Sequence, residues 1–356
     1  MKQPHQHTVK YAANHPLYAL AWSQQKGAFR LATGSLVTAS NAANHVKVLG
    51  LNHDASQLVV SASAKVPFPV TKIVWMPSSA YSATQNLLAS SSDHMRIHSF
   101  SESSSELTLS GTLTSSNRKY APVSAFDWCP SDPSILIACS IDTTCTVWDI
   151  NKMEQKTQLI AHDKAVYDVA FNPTSSTNFA SVGADGSLRT FDLRALDHST
   201  ILYETVPALT GNTMAQPPLL RLAWNKQDTH YMAAMDGRRV VLLDTRRPSA
   251  PLLELPAHRA AGLNAIAWAP HSRDHLVTVG EDGFAFVWDT ACATSSSSSA
   301  ANPAGASAAV ATSTRVMTDA MLTYDAKEGI SNVSWTGGMQ EWIGIVAGES
   351  VLALHI

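Results

Sequence analysis

The chain has 356 residues, of which 45% are hydrophobic and 15% are charged, and its formal net charge is −3. This balance is typical of a globular protein with an ample core and excludes a disordered chain. The small negative charge excludes a general basic field that would attract nucleic acid. No apolar stretch is long enough to cross a membrane, and the first ten residues lack a signal core. We therefore expect a soluble protein of the cytoplasm and nucleus, with no direct nucleic-acid or membrane partner.

One apolar phrase recurs seven times along the chain, and each copy ends on an aromatic residue. These anchors are Trp22, Trp75, Trp128, Phe171, Trp224, Trp268 and Trp335. Successive anchors lie 53, 53, 43, 53, 44 and 67 residues apart. A period of about 45 to 50 residues with several strands per unit is typical of a β-propeller. The sequence therefore predicts an all-β chain, residues 1–356, that forms a single seven-bladed, monomeric propeller.

The seventh unit lacks a strand that the N-terminal segment of the chain can supply. The seventh unit supplies WIGIVAG (342–348) and VLALHI (351–356) but no fourth strand. The segment HTVKY (7–11) precedes the first unit and has no other strand to pair with. Because an unpaired edge strand is a liability, we predict that this N-terminal strand completes the last blade and closes the ring.

The cysteines and the acidic residues suggest no cofactor or metal site. None of the four cysteines forms a CxxC pair, and three of them, Cys129, Cys139 and Cys145, occupy apolar positions of one repeat. Buried thiols explain this pattern better than a metal site or a disulfide does. No phosphate-binding loop or paired-carboxylate pattern is present, so we expect neither a cofactor nor an enzymatic activity.

The fourth and sixth units resemble the WD40 repeat. Each has a His before the first strand, a Gly-x-Asp-Gly turn, and an aromatic-Asp pair at the end of the third strand. In WD40 proteins these residues and a Ser or Thr form a hydrogen-bonded chain, so the resemblance implies a structural tetrad. Its members would be His258, Thr278, Asp282 and Trp288 in the sixth unit, and His162, Ser181 and Asp185 in the fourth, where Phe191 replaces the Trp. A Ser-His-Asp hydrolase triad is the alternative, but recurrence at the blade period favours the structural role.

Two short boxes, FDLR (191–194) and LDTR (243–246), occur in successive units. They resemble the Trp-Asp-x-Arg boxes by which some WD40 proteins dock on the damaged-DNA-binding adaptor of cullin-four ubiquitin ligases, although both lack the Trp. The resemblance assigns ligase-adaptor contact to Asp192, Arg194, Asp244 and Arg246. The alternative is an Asp–Arg pair that caps a turn.

A tract of Ser and Ala, residues 291–314, separates the third and fourth strands of the sixth unit and explains the longest interval. Its composition cannot bury a core, so we expect a disordered loop. The tract could be a phosphorylated docking loop or a neutral insertion.

The residues that follow the first apolar position of each opening strand are predicted to ring one mouth of the central channel. Tyr and Arg are typical anchors of protein interfaces, whereas a nucleic-acid site would be more uniformly basic. We therefore predict protein binding at this ring, although solvated loop ends are the alternative. The candidates are Tyr18, Thr71, Lys72, Ser124, Tyr167, Asp168, Arg221, Asn264, Ser331 and Asn332.

Beyond the generic repeat, the block from VSAFDW (123–128) to NAIAWAPHS (264–272) resembles one WD-repeat family. This is the family of the plant regulator Transparent Testa Glabra and its animal cullin-four-associated (Han-eleven type) counterpart. The resemblance includes non-motif residues such as HST (198–200) and NKQD (225–228). It implies a non-enzymatic scaffold for DYRK-type kinases or for MYB and basic helix-loop-helix transcription factors. A substrate receptor of a cullin-four RING ligase is the alternative.

Overall fold

In the computed structural model, the described residues are 7–39, 43–77, 86–114, 121–210, 213–256, 258, 262–291, 314–339 and 341–356. The Ser/Ala tract therefore lies outside the described residues, apart from its first and last positions. Within the described part of the chain, no helix is long and apolar enough to cross a membrane.

The described residues form seven antiparallel sheets arranged as the blades of a propeller, as the repeat predicts. In each of the first six blades the strands follow in chain order from the channel outwards. Blade one contains β2 (Leu17–Trp22), β3 (Arg30–Ser35), β4 (Asn44–Leu51) and β5 (Leu58–Val66). Blade two contains β6 (Lys72–Trp75), β7 (Leu87–Ser91), β8 (Met95–Ser101) and β9 (Glu106–Leu113). Blade three contains β10 (Val123–Trp128), β11 (Ile135–Ser140), β12 (Thr144–Asp149) and β13 (Glu154–Ile160).

The remaining blades follow the same plan, and a short hairpin, β18 (Ala208–Thr210) and β19 (Thr213–Ala215), precedes blade five. Blade four contains β14 (Val166–Phe171), β15 (Asn178–Gly183), β16 (Ser187–Asp192) and β17 (Ser199–Glu204). Blade five contains β20 (Arg221–Trp224), β21 (Tyr231–Met235), β22 (Val240–Asp244) and β23 (Leu253–Leu255). Blade six contains β24 (Leu263–Trp268), β25 (His275–Gly280), β26 (Phe284–Asp289) and β28 (Leu322–Asp325). Blade seven contains β29 (Ile330–Trp335), β30 (Trp342–Ala347), β31 (Ser350–His355) and β1 (Thr8–Ala12).

Burial follows the position of a strand within its blade. Every residue of the second strands β3, β11 and β21 is buried, because neighbouring blades cover both faces of the sheet at that radius. Such strands read as continuous apolar runs. The outermost strand β13 instead alternates between exposed and partly buried residues. The core is therefore a ring of seven clusters, each shared between adjacent blades.

Each of the seven aromatic anchors is the last residue of the first strand of its blade. Trp75 and Trp268 donate their indole N–H to the backbone carbonyls of Ala21 and Ala223, each at 3.2 Å, in the preceding blade. The anchors are at most 8% exposed. They recur because each fills the space between two blades close to the channel.

The N-terminal strand closes the ring, as predicted. β1 pairs antiparallel with β31, with Val9 opposite Ala353. The side chain of Val9 is fully buried. Two different ends of the sequence therefore contribute to one blade, and β1 covers the outer edge of β31.

Blade five carries an additional strand that the repeat did not predict. After the Ser/Ala tract, the two-residue strand β27 (Arg315–Val316) pairs in parallel with β23. Met317 then donates its backbone N–H to Glu254 at 3.1 Å. The chain thus reaches back to the outer edge of blade five before it returns to blade six as β28.

Candidate functional site

In blade six, one hydrogen-bonded chain connects all four residues of the predicted tetrad. The indole N–H of Trp288 donates to Thr278 Oγ1 at 3.0 Å, and this hydroxyl lies 2.9 Å from His258 Nε2. His258 Nδ1 lies 2.8 Å from Asp282. Burial lowers the pKa of His258 in spite of the nearby carboxylate, so the imidazole is neutral. Since a carboxylate can only accept, the Nδ1–H donates to Asp282, and the unprotonated Nε2 accepts from the Thr278 hydroxyl.

Blade four keeps the same chain without the indole. His162 lies 2.7 Å from Ser181 Oγ through Nε2 and 3.0 Å from Asp185 through Nδ1. Phe191 stacks on Phe179 with ring centroids 4.8 Å apart. Ser181 is fully buried and His162 is 1% exposed. A substrate cannot reach this hydroxyl, so the geometry supports the structural role and not a hydrolase triad.

Asp185 is held as a carboxylate by several donors. Ser187 donates to it from its backbone N–H at 3.1 Å and from its hydroxyl at 2.8 Å. Arg189 lies 3.2 Å from the second oxygen. Burial opposes ionisation, but the hydrogen bonds from His162 and Ser187 hold the pKa of Asp185 well below its usual range.

Blade two contains a variant of the tetrad that we did not predict from the sequence. His98 faces Leu88 across the sheet, which is the position that Trp288 occupies opposite Leu276 in blade six. Its Nε2 lies 3.0 Å from Ser90 Oγ, so the aromatic-to-hydroxyl hydrogen bond is retained. Burial lowers the pKa of His98 to about 4, so this imidazole is neutral. The only signal in the sequence is a His in the expected Trp position after the Asp93 turn.

The channel mouth brings together several of the predicted partner-binding residues. Arg221 donates to the Tyr18 hydroxyl at 2.7 Å, although these residues belong to blades five and one. With Tyr167 and Glu281, these side chains surround a cavity of about 580 Å³. The other lining residues are Leu36, Thr71, Ser124, Leu220, Met235, Leu263, Asn264 and Ser331.

Polar residues of this mouth also connect neighbouring blades. Asn332 donates to the backbone carbonyl of Tyr18 at 3.1 Å, which joins blade seven to blade one. Asn264 donates to the carbonyl of Ile330 at 2.8 Å, which joins blade six to blade seven. Ser124 donates to the carbonyl of Val166 in blade four at 2.5 Å. The amides of the two asparagines therefore stabilise the ring, whereas Tyr18 and Tyr167 present partly exposed aromatic surface.

The expectation that Asp168 contacts a partner is wrong, because its side chain is buried. One oxygen accepts hydrogen bonds from Lys72 Nζ at 2.7 Å and from the backbone N–H of Val169 at 3.0 Å. The other oxygen accepts from the backbone N–H of Leu222 at 3.1 Å. Lys72 is correspondingly held inside the channel and not at the mouth where we expected it. A buried charge needs such partners, and this pair joins blades two, four and five.

A second cavity of about 420 Å³ occupies the other end of the channel, and sequence reasoning gave no signal for it. Its lining includes six of the seven aromatic anchors, together with Lys72, Asp127 and Lys226. Burial raises the pKa of Asp127, whereas the side chain of Lys226 is exposed. Phe171 donates its backbone N–H to Asp127 at 2.8 Å, which ties blade four to blade three. The polar groups of the channel are therefore mainly bonded across blade boundaries.

The two Asp-x-Arg boxes end the third strands of neighbouring blades. Arg194 lies 2.6 Å from Asp192, and Arg246 lies 2.7 Å from Asp244. In both boxes the Asp also accepts the backbone N–H of the Arg at 2.9 Å. Each box is thus an Asp–Arg turn cap. The Arg194 and Arg246 side chains nonetheless remain 72% and 50% exposed, which leaves guanidinium surface for a partner.

A groove separates the two boxes. Its cavity of about 490 Å³ is lined by Phe191 and Asp192 of blade four and by Trp224, His230 and Thr245 of blade five. The exposed arginines, the groove and the channel mouth are therefore the candidate surfaces for protein binding.

Comparison with known proteins places this geometry in a family. The WD domain, G-beta repeat model matches residues 107–149, 153–192 and 249–289. Each match begins at or shortly before the outer strand of one blade and ends with the third strand of the next. A protein of Dictyostelium discoideum, named DDB1- and CUL4-associated factor 7 homolog, is 41% identical over 352 residues, covering 97% of this chain and 98% of the relative. The chain belongs to this WD-repeat family.

Two fungal proteins extend the family. An uncharacterized WD repeat-containing protein of Schizosaccharomyces pombe is 41% identical over 295 residues, which cover 76% of this chain and 67% of the relative. A WD repeat-containing protein of Saccharomyces cerevisiae is 36% identical over 310 residues, covering 79% of this chain and 57% of the relative. The similarity therefore extends over most of the propeller and far beyond the repeat motif.

Proposed function

We propose that the protein is a non-catalytic scaffold that holds protein partners on one rigid ring. The observation that carries this proposal is the channel mouth, where Tyr18, Tyr167 and Arg221 surround a cavity of protein-interface character. The polar groups with catalytic potential are instead buried or engaged between blades, as with Ser181 and Asp168. The rigid ring supports this role, because the Tyr and Arg residues at its mouth are of the kind that bind other proteins.

The scaffold acts through effective concentration. Two partners bound to one rigid body encounter each other far more often than they do free in solution. By the resemblance of the sequence, the partner classes we propose are DYRK-type kinases or MYB and basic helix-loop-helix transcription factors.

The test is affinity purification followed by mass spectrometry of the full chain and of Tyr167→Ala. Tyr167 lines the mouth and is partly exposed, so this change removes aromatic surface without breaking the inter-blade bonds described above. We expect the variant to lose a kinase or a transcription factor that the wild type recovers. Lys156→Ala, at an exposed position of β13, is the matched control. Equal recovery with all three proteins contradicts binding at the mouth.

A second candidate function is that of a substrate receptor for a cullin-four RING ligase. It is favoured by the exposed Arg194 and Arg246 on adjacent blades and by the name of the Dictyostelium relative. In this proposal the paired boxes bind the ligase adaptor, and the channel mouth remains open for a substrate.

This candidate is tested by pull-down with the purified adaptor. The double variant Arg194→Ala plus Arg246→Ala should lose binding, because each change removes a charged donor from the docking surface. Arg273→Ala, which removes an exposed Arg paired with Asp274 in blade six, serves as the control. Unchanged binding by the double variant, or no binding by the wild type, refutes adaptor docking through the boxes.

A further inference from the structure

Five side chains form a basic cluster where blade seven meets blade one. Tyr11 lies on the closing strand β1, and His15 lies in the turn that follows it. His45 and Lys47 lie on β4, and Lys65 faces His45 across the sheet on β5. The basic cluster thus joins the strand that closes the ring to the outer half of blade one.

Lys47 is the centre of the basic cluster. Its Nζ lies 3.0 Å from the Tyr11 hydroxyl and 3.2 Å from His15 Nε2, and it stands 5.6 Å above the Tyr11 ring. Since an ammonium group can only donate, the Nε2 of His15 accepts this hydrogen bond. The ring of His15 stacks on that of His45 with centroids 6.5 Å apart and planes 14° apart. These contacts fix the positions of the nitrogens without neutralising the charge.

Positive charge collects around His45 in the basic cluster. Burial and the positive charges of Lys47 and Lys65 lower the pKa of His45, while a backbone hydrogen bond at Ala43 opposes the shift. Neither Lys47 nor Lys65 forms a salt bridge with any described carboxylate, although a chain of net charge −3 supplies many. Like charges held together in this way repel one another, and an anion bound between them removes the repulsion.

We propose that the basic cluster binds the phosphoryl group of a phosphorylated side chain on a partner protein. Such a group carries a charge of about −1.5 to −2 and three strong acceptor oxygens. Lys65 and Lys47 supply the positive charge, and His45 can supply a further donor once an anion favours its protonation. Two lysines and a histidine supply enough charge for a single phosphoryl group, whereas nucleic acid needs a longer basic stripe. That the phosphoryl group is carried by a protein rests on the proposed scaffold function.

Binding at this place has a structural consequence. The anion contacts β4 and β5 of blade one, while Lys47 remains bonded to Tyr11 of β1. A phosphorylated partner therefore tightens the junction at which the ring closes, and it raises the melting temperature as any ligand of the native state does.

The experiment uses the full chain, N-acetyl-phosphoserine amide and its unphosphorylated counterpart. Histidine NMR spectra are recorded during each titration, and the melting temperature is measured at saturation. We expect the phosphorylated probe alone to shift the His45 resonances and to raise the melting temperature. Lys65→Gln should weaken binding by about tenfold, the cost of losing a charge-assisted hydrogen bond. Lys65 is exposed and makes no hydrogen bond among the described residues, so this variant should fold normally.

Lys47→Gln is the second variant, and Lys156→Gln on the exposed β13 is the matched control, which should bind like the wild type. An unshifted His45 at saturation overturns the proposal, as does equal binding by Lys65→Gln and the wild type. Binding of inorganic phosphate alone, or of anionic phosphatidylserine vesicles without the phosphoserine probe, also overturns it. A failure here leaves the Tyr167→Ala purification unaffected, so the scaffold proposal is judged separately.

Discussion

Thr278 accepts a hydrogen bond from the indole N–H of Trp288 at 3.0 Å while it lies 2.9 Å from His258 Nε2. One hydroxyl thus satisfies two buried polar groups on different elements of blade six. In blade three the indole N–H of Trp148 occupies the equivalent place and is buried without a partner among the described residues. The difference lies in one residue, because the position of Thr278 is taken by Ala138.

Replacing Thr278 by Val should destabilise the protein by about 2 to 6 kcal/mol. The change preserves shape, but it leaves the Trp288 N–H and the His258 Nε2 buried without partners, and each costs about 1 to 3 kcal/mol. Urea denaturation measures the loss. Thr323→Val, at an exposed position of β28 in the same blade, should change stability by less than about 0.5 kcal/mol. A loss no larger than this control shows that the tetrad contributes little.

Replacing Ala138 by Ser should stabilise the protein by about 1 kcal/mol, because the new hydroxyl gives Trp148 an acceptor. Ala138 is 4% exposed, so the hydrogen bond forms away from water. The decisive measurement is a double-mutant cycle with Trp148→Phe, which removes the donor. A gain that persists in the Trp148→Phe background has another cause and contradicts the assignment.

Val9→Ala should lower stability by about 2 kcal/mol, because Val9 is fully buried where β1 completes blade seven. Lys10→Ala, at the exposed neighbouring position, should leave the melting temperature nearly unchanged. Deletion of residues 1–12 should lower the melting temperature much further, since it removes the whole closing strand. A deletion variant that melts like the wild type is incompatible with closure by β1.

Stability should fall as the pH drops from about 6.5 to about 4. Burial depresses the pKa of His98 from 6.5 to about 4, so the unfolded chain takes up a proton at this residue before the folded chain does. The full stability is present above the unfolded pKa, and this residue alone accounts for a loss on the order of 3 kcal/mol across the interval. Urea denaturation of wild type and His98→Gln at several pH values measures the effect. Identical slopes for the two proteins exclude His98 as a source of the pH dependence.

The blade count and ring closure followed from sequence because both depend on repetition. Seven aromatic anchors recur since each fills an equivalent gap between blades, and HTVKY was left without a partner once the repeats were aligned. The four tetrad positions of blade six were predictable because that unit resembles the WD40 repeat. These features share a cause: each blade must meet the same packing and hydrogen-bonding needs, so the residues that meet them form a recognisable local pattern.

Features that depend on a single long-range contact escaped prediction. His98 takes the place of a Trp, and only the register of β7 with β8 shows that it still reaches a hydroxyl. Asp168 has the spacing of a mouth residue, but Lys72 and the Leu222 N–H draw its carboxylate into the interior. The strand β27 has only two residues, and its parallel partner β23 is distant in the sequence, so no local pattern predicts it.

The strand β27 also affects how the ring comes apart. Blades five and six are joined by the connection from β23 to β24 and, in addition, by the pairing of β27 with β23. In repeat proteins each interface adds its own increment to stability, so this boundary gains an increment that an ordinary boundary lacks. Blades five and six are therefore expected to exchange their amide hydrogens as one cooperative unit, and the ring to open first at another boundary.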